Sequence, residues 1–187
     1  MYNNLEDYKY RVDLSEKDYV YDGSEKKPKV SIDDLVEGKD FSVSYKDNLN
    51  AGTAQVIIEG IETFKGVLTE TFTIARADIS GKKATLSQTV YTYDGNEKRP
   101  EVQVEGLQNG RDYRVYYINN RNVGTAKVNI WGLGNYNGTI QMTFTIKAAE
   151  TKPDVDKSSW LYDDVPEKTG WRYEAIKYVK DHGIMNG

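Results

Sequence analysis

The chain repeats itself. Tyr19–Ile74 and Tyr91–Ile146 align at a constant offset of 72 with no gap, and 26 of the 56 paired positions are identical. YVYDGSEKKPKV in the first copy stands against YTYDGNEKRPEV in the second, and ETFTI against MTFTI. Self-similarity at a fixed period decides architecture before any single residue is read. Comparing the copies also separates two faces of each strand. Val43 and Tyr45 recur as Val115 and Tyr117, while Ser42 and Ser44 between them become Arg114 and Tyr116. One strand later Val56, Ile58 and Gly60 recur as Val128, Ile130 and Gly132, while Gln55, Ile57 and Glu59 become Lys127, Asn129 and Trp131. Agreement with period two is the signature of a half-buried strand, whose successive side chains point to opposite faces. Antiparallel sheets with one packed and one solvated face are expected in each copy.

Turn signals punctuate the copies. Asp22-Gly23 and Asp94-Gly95 predict tight hairpin turns, because glycine takes positive φ without steric cost. Pro28 and Pro100 mark the start of the next strand, where no amide donor is needed. Gly52 and Gly124 follow Asn-rich loops and lead into another strand. In the second copy strands are predicted at 82–87, 89–93, 100–105, 112–118, 125–131 and 139–147. Short strands at this spacing predict a β-sandwich. Leu14-Ser15 matches Leu86-Ser87 at the same offset, which starts the units near residues 8 and 80 and leaves only ARADIS between them. So short a connection predicts a stiff pair.

The two copies resemble the bacterial immunoglobulin-like repeats of Gram-positive surface proteins. The resemblance rests on Tyr-x-Tyr-Asp-Gly, Asp-Phe/Tyr-x-Val-x-Tyr, Asn-x-Gly-Thr-Ala and the closing Thr-Phe-Thr-Ile. It implies an Ig-like sandwich in a surface protein, and such repeats share a fold more than a function.

After Lys147 the sequence AAETKPDVDKSS is polar and aperiodic, a linker over 148–159. Beyond it Trp171, Ala175, Ile176, Tyr178 and Val179 recur at helical spacing, and Gly183 is placed to cap a helix of about three turns. Tyr162, Asp164-Val165-Pro166, Trp171, Ala175-Ile176, Gly183-Ile184 and Gly187 resemble the first half of an S-layer homology motif. In that family tandem copies bind polymers of the Gram-positive cell wall. The resemblance makes Trp171 and Gly187 remnants of a wall-polymer motif. The second half would lie beyond Gly187, so the expectation is a segment of a longer exported protein, located at the cell surface or cell wall. The opening MYNNLEDYKY has no basic stretch followed by an apolar one, so no signal peptide is read in this chain.

The fold class expected is all-β: two tandem Ig-like β-sandwich repeats, 8–75 and 80–147, the linker, and a short C-terminal α-helical segment within the partial motif 160–187. The net charge of −4, with both signs mixed along the chain, argues against a nucleic-acid groove. No apolar run approaches the ~20 residues of a membrane span. Cysteine is absent, and His182 is the single histidine, so neither a metal site nor a nucleophile–base pair can be assembled from those residues. His182 reads as a cation at a helix C-terminus. Asp33-Asp34 and Asp163-Asp164 read as solvated turns, and Asp154 and Asp156 lack the further oxygen ligands of a calcium loop. No catalytic residue, metal or cofactor is expected, and the chain reads as no enzyme.

One pair stands apart. Tyr116 and Trp131 take outward positions where the first copy has Ser44 and Glu59. Outward aromatics pack against a neighbouring segment, such as the C-terminal helix, or stand partly exposed alone, or form a face for glycans or host surface proteins. The first expectation for the whole is a structural stalk whose partner is the cell-wall polymer, reached through the complete S-layer homology region of the parent protein. The alternative is a carbohydrate-binding or adhesive module built on these two aromatics.

Overall fold

The computed structural model describes residues 3–150, Tyr178, Val179 and residues 181–183. The chain divides into two compact units, Met1–Ala148 and Ala149–Gly187. The first unit is all-β and sandwich-like. Its first repeat comprises β1 (Asn3–Asn4), a 3-10 helix (Leu5–Arg11), β2 (Val12–Leu14), β3 (Asp18–Val20), β4 (Val30–Ile32), β5 (Phe41–Lys46), β6 (Gly52–Gly60), β7 (Phe64–Lys65) and β8 (Val67–Ala75). The second comprises β9 (Ala77–Asp78), β10 (Ala84–Leu86), β11 (Val90–Thr92), β12 (Val102–Val104), β13 (Tyr113–Ile118), β14 (Gly124–Gly132), β15 (Tyr136–Asn137) and β16 (Thr139–Lys147).

Each repeat sets a four-stranded sheet against a two-stranded one. The larger sheets run β3-β8-β6-β5 and β11-β16-β14-β13, and the smaller pair β2 with β4 and β10 with β12. Within each larger sheet the first strand is parallel to the last, Tyr19 facing Ile74 and Tyr91 facing Ile146. The remaining pairs are antiparallel. Both cores form from the positions the copies share. Val56, Ile58, Phe72 and Ile74 are buried in one, and Val128, Ile130, Phe144 and Ile146 in the other. Val30 and Ile32, with Val102 and Val104, supply the facing side from the smaller sheets. Val43, Tyr45, Val115 and Tyr117 pack against these cores while remaining partly exposed, because β5 and β13 are edge strands.

The tyrosine-rich composition has a structural use. The Tyr45 hydroxyl donates to the Pro28 carbonyl at 2.7 Å, and Tyr117 donates to Pro100 at 2.5 Å. Each bond ties an edge strand to the segment entering the opposite sheet. Burial pushes both phenol pKa values up. Ser15 and Ser87 complete the pattern, each accepting a backbone N–H, from Lys29 and Glu101.

The Asp-Gly turns differ from the expectation. They close no hairpin, since β3 pairs with β8 and β4 with β2. They carry the chain from the larger sheet to the smaller. Asp22 Oδ1 accepts from the Ser24 N–H, Gly23 takes φ 85°, and Asp22 Oδ2 meets Lys26 Nζ at 2.5 Å. Asp94, Gly95, Asn96 and Lys98 repeat this arrangement. The six strands predicted in the second copy are all present, with ends displaced by up to two residues; β14 runs one residue further at each end and the others are the same or shorter. The two-residue strands β7, β9 and β15 have no alternation long enough to signal them. Gly60 and Gly132 recur for a reason periodicity does not supply. A Cβ on Gly132 would lie 2.7 Å from the Asn137 backbone, and one on Gly60 would lie 2.9 Å from the Phe64 backbone.

The first core also takes in Leu5, which precedes residue 8 and is fully buried. It holds the place that Ile79 holds in the second core. Asn4 Oδ1 accepts from the Glu6 N–H as Asp78 Oδ1 accepts from the Ser80 N–H. The ARADIS connection is therefore built into the repeats. Ala77 and Asp78 pair in parallel with Tyr136 and Asn137, and only Arg76 separates β8 from β9. A second contact joins the repeats directly. Asn135 Oδ1 accepts the Ala51 N–H at 2.9 Å, and Asn135 Nδ2 donates to Asn50 Oδ1 at 2.9 Å. Beside it the rings of Tyr21 and Tyr136 meet edge-on, centroids 5.4 Å apart.

In the second unit, Tyr178, Val179 and Asp181 are helical. The His182 N–H donates to the Tyr178 carbonyl at 3.0 Å, and Gly183 takes φ 64°, the left-handed cap expected there. Trp171 and Gly187, and the rest of the helix and motif read over 160–177, lie outside the described residues.

Candidate functional site

The outward face of the β11-β16-β14-β13 sheet carries the residues that distinguish the second repeat from the first. Strand register lays its centre out as a grid. Arg114, Trp131 and Thr139 form one row across β13, β14 and β16. Tyr116, Asn129 and Gln141 form the next, and Ile118, Lys127 and Thr143 the third. Rows repeat about every 6.8 Å along the strands, and neighbouring strands lie about 4.8 Å apart.

Tyr116 and Trp131 are diagonal neighbours on this grid, within reach for large rings. Their centroids lie 4.7 Å apart at an interplanar angle of 46°. Tyr116 is 38% exposed and Trp131 48%, so the pair forms a joined apolar surface open to solvent. Below it Gln141 Nε2 donates to Asn129 Oδ1 at 3.0 Å. That bond fixes the two amides side by side and leaves their other donors and the Gln141 oxygen without a partner among the described residues. Arg114 and Lys127 are exposed and have no carboxylate partner among the described residues.

Of the other sequence candidates, Asp154, Asp156, Asp163 and Asp164 lie outside the described residues. Asp33 is engaged with Arg11 at 2.6 Å in an exposed turn. His182 stacks on Tyr178, with centroids 4.0 Å apart. Asp112, the most buried carboxylate among the described residues, accepts two bonds from the Arg111 guanidinium and one from the Gln108 N–H. The Arg111 bonds hold its carboxyl below the usual range, which makes it a poor proton acceptor. No group of three or more His, Cys, Asp or Glu side chains suited to a metal occurs among the described residues. What the face can do chemically is stack, hydrogen-bond through amides and attract anions.

Arg114 and Lys127 were visible in the sequence as outward positions that change between copies. Gln141 was not, because nothing in the sequence states which residue of the last strand lies beside Asn129. No family model, no curated protein and no solved structure matches the chain.

Proposed function

We propose that this chain is a non-catalytic spacer from an exported bacterial cell-surface protein. Two Ig-like repeats hold a fixed spacing, and the S-layer-like segment leads to wall anchoring. The observation that carries the spacer reading is the junction. A single residue, Arg76, separates the strands on either side, and Asn135 bonds both Asn50 and the Ala51 amide across the interface. A flexible tether would need neither. The placement at a cell wall rests on the sequence resemblance of both parts of the chain.

The absence of cysteine allows a direct test, since introduced thiols are unique. Spin labels at Ser42→Cys in the first repeat and Thr143→Cys in the second report the distance between exposed strand positions. A single narrow distance distribution in the full chain is expected. A broad one would remove the reading of a stiff spacer.

A further inference from the structure

We propose that the outward face of the second repeat's large sheet binds an acidic polysaccharide, stacked on Trp131 and Tyr116 and held through Arg114, Lys127, Asn129 and Gln141. This goes beyond the spacer reading and does not depend on it.

The first repeat is the internal reference. Its equivalent grid reads Ser42, Glu59 and Val67, then Ser44, Ile57 and Thr69, then Lys46, Gln55 and Thr71. One lysine there is balanced by one glutamate, and no aromatic is present. In the second repeat the grid has two cations, no carboxylate and two aromatics in contact. Most inward positions of the same strands are retained, the exceptions being Phe41, Leu68 and Glu70, which become Tyr113, Ile140 and Met142. The outward residues of the grid do not face the core, so packing of the sandwich does not account for their change.

The arrangement selects the ligand class. A solvent-open tryptophan beside a tyrosine offers an apolar plane for the C–H face of a sugar ring, with polar edges outside it. The fixed Asn129–Gln141 amide pair presents donors and an acceptor together, which matches the alternating roles of vicinal hydroxyls. Arg114 sits next to Trp131, and Lys127 lies four residues along the same strand, about 14 Å away. Two cations with no carboxylate partner among the described residues, at opposite ends of the plane, complement a chain that carries a charge on several of its sugars, and a neutral glycan would leave both unused. A nucleic acid would be drawn by a continuous basic track, whereas the described chain carries this small patch on a net charge of −4.

The test uses the full chain in calorimetric titrations with hexasaccharides of galacturonate, hyaluronan and chondroitin sulfate. Maltohexaose is the neutral control and oligothymidylate the non-sugar polyanion. Saturable binding of at least one acidic hexasaccharide is expected, at least about tenfold tighter than maltohexaose and weakening as salt rises from about 10 to about 150 mM. Exchanging the aromatics for the residues of the first repeat, Tyr116→Ser with Trp131→Glu, is expected to lower affinity by at least about tenfold. Arg114→Ser is expected to lower affinity and flatten the salt dependence, and it carries the test if the double exchange does not fold. Unchanged thermal midpoints establish that the variants are folded. Failure of all three acidic probes overturns the proposal. So does equal binding of oligothymidylate, or binding that ignores both sets of substitutions. The spacer reading is decided by label distances, which these affinities do not touch.

Discussion

Asn135→Ala removes the clearest bond between the repeats while touching neither core. The side chain makes two hydrogen bonds across the junction, one from a part-buried backbone amide and one to an exposed asparagine. At about 0.5–1.5 kcal/mol for each bond, the loss comes to about 1–3 kcal/mol, the upper part applying if water does not reach the Ala51 amide. For a cooperative unit near 150 residues, where each kcal/mol moves the midpoint by about 2–4 °C, a loss of about 2 kcal/mol lowers thermal unfolding by about 4–8 °C. Stability alone does not distinguish a junction from a local loop, so the assay is a double-mutant cycle with Asn50→Ala. The shared bond predicts non-additivity of about 0.5–1 kcal/mol between the two sites, although they lie in different repeats. Asn135→Ala should also broaden the distance distribution between labels at positions 42 and 143. Additive effects together with an unchanged distribution would refute the argument that these contacts fix the repeats to each other.

Other outcomes follow from the packing and the charges. Ile130→Ala, at a fully buried position, should cost about 2–5 kcal/mol, and a loss below 1 kcal/mol in urea unfolding would contradict its place at the centre of the core. Gly132→Ala drives a methyl against the Asn137 backbone and should destabilise by at least about 1–3 kcal/mol. Gly81→Ala has open space around it and no positive φ, so urea unfolding should find it neutral or slightly stabilising. The carboxyls of Asp22 and Asp94 are held low, first by the Lys26 and Lys98 ammonium groups and then by backbone amides of Ser24 and Asn96. Because the folded state binds these protons more weakly than the unfolded chain, their contribution is present above about pH 4 and is lost as pH falls through the folded values. Asp94→Asn should flatten the acid limb of a stability–pH curve, and an unchanged slope would show that the pair does not titrate with folding.

Legibility in the sequence followed the range of the interactions. Val56, Ile58, Phe72 and Ile74 were readable as core because two independent copies agree at alternate positions, and alternation is local. The turns at Asp22-Gly23 were readable as turns but not as crossings between sheets, since partner choice for β3 depends on β8, about fifty residues later in the chain. Leu5 was missed because two extra residues in the 3-10 helix break the offset ahead of β2. At the candidate face, Tyr116 and Trp131 were identified by their difference from Ser44 and Glu59. Their contact was not, because it needs the register of β13 on β14. Nor was the joining of Asn129 to Gln141, which needs a third strand. Asn135 gave no signal at all: its value lies in Asn50 and Ala51, which the sequence places in the other copy.

The parallel pairing of β3 with β8, and of β11 with β16, has a mechanical consequence. In each repeat the first strand of the large sheet lies alongside the last and runs in the same direction. Tension that draws the segment entering β3 or β11 away from the segment leaving β8 or β16 pulls these two strands past each other along their length. Their hydrogen bonds are then loaded together in shear, whereas bonds at the mouth of a hairpin break one after another like a zip. The clasp is short, three residue pairs in each repeat, but its inward rings are anchored: Tyr19 meets Phe72 and Tyr91 meets Phe144 edge-on at 5.5 and 5.4 Å. Once the pairs ahead of it, β1 with β7 and β2 with β4, or β9 with β15 and β10 with β12, have given way, the load falls on that three-residue patch, and each repeat has its own. A pulled chain would therefore yield one repeat at a time, with the second sandwich still intact after the first has opened.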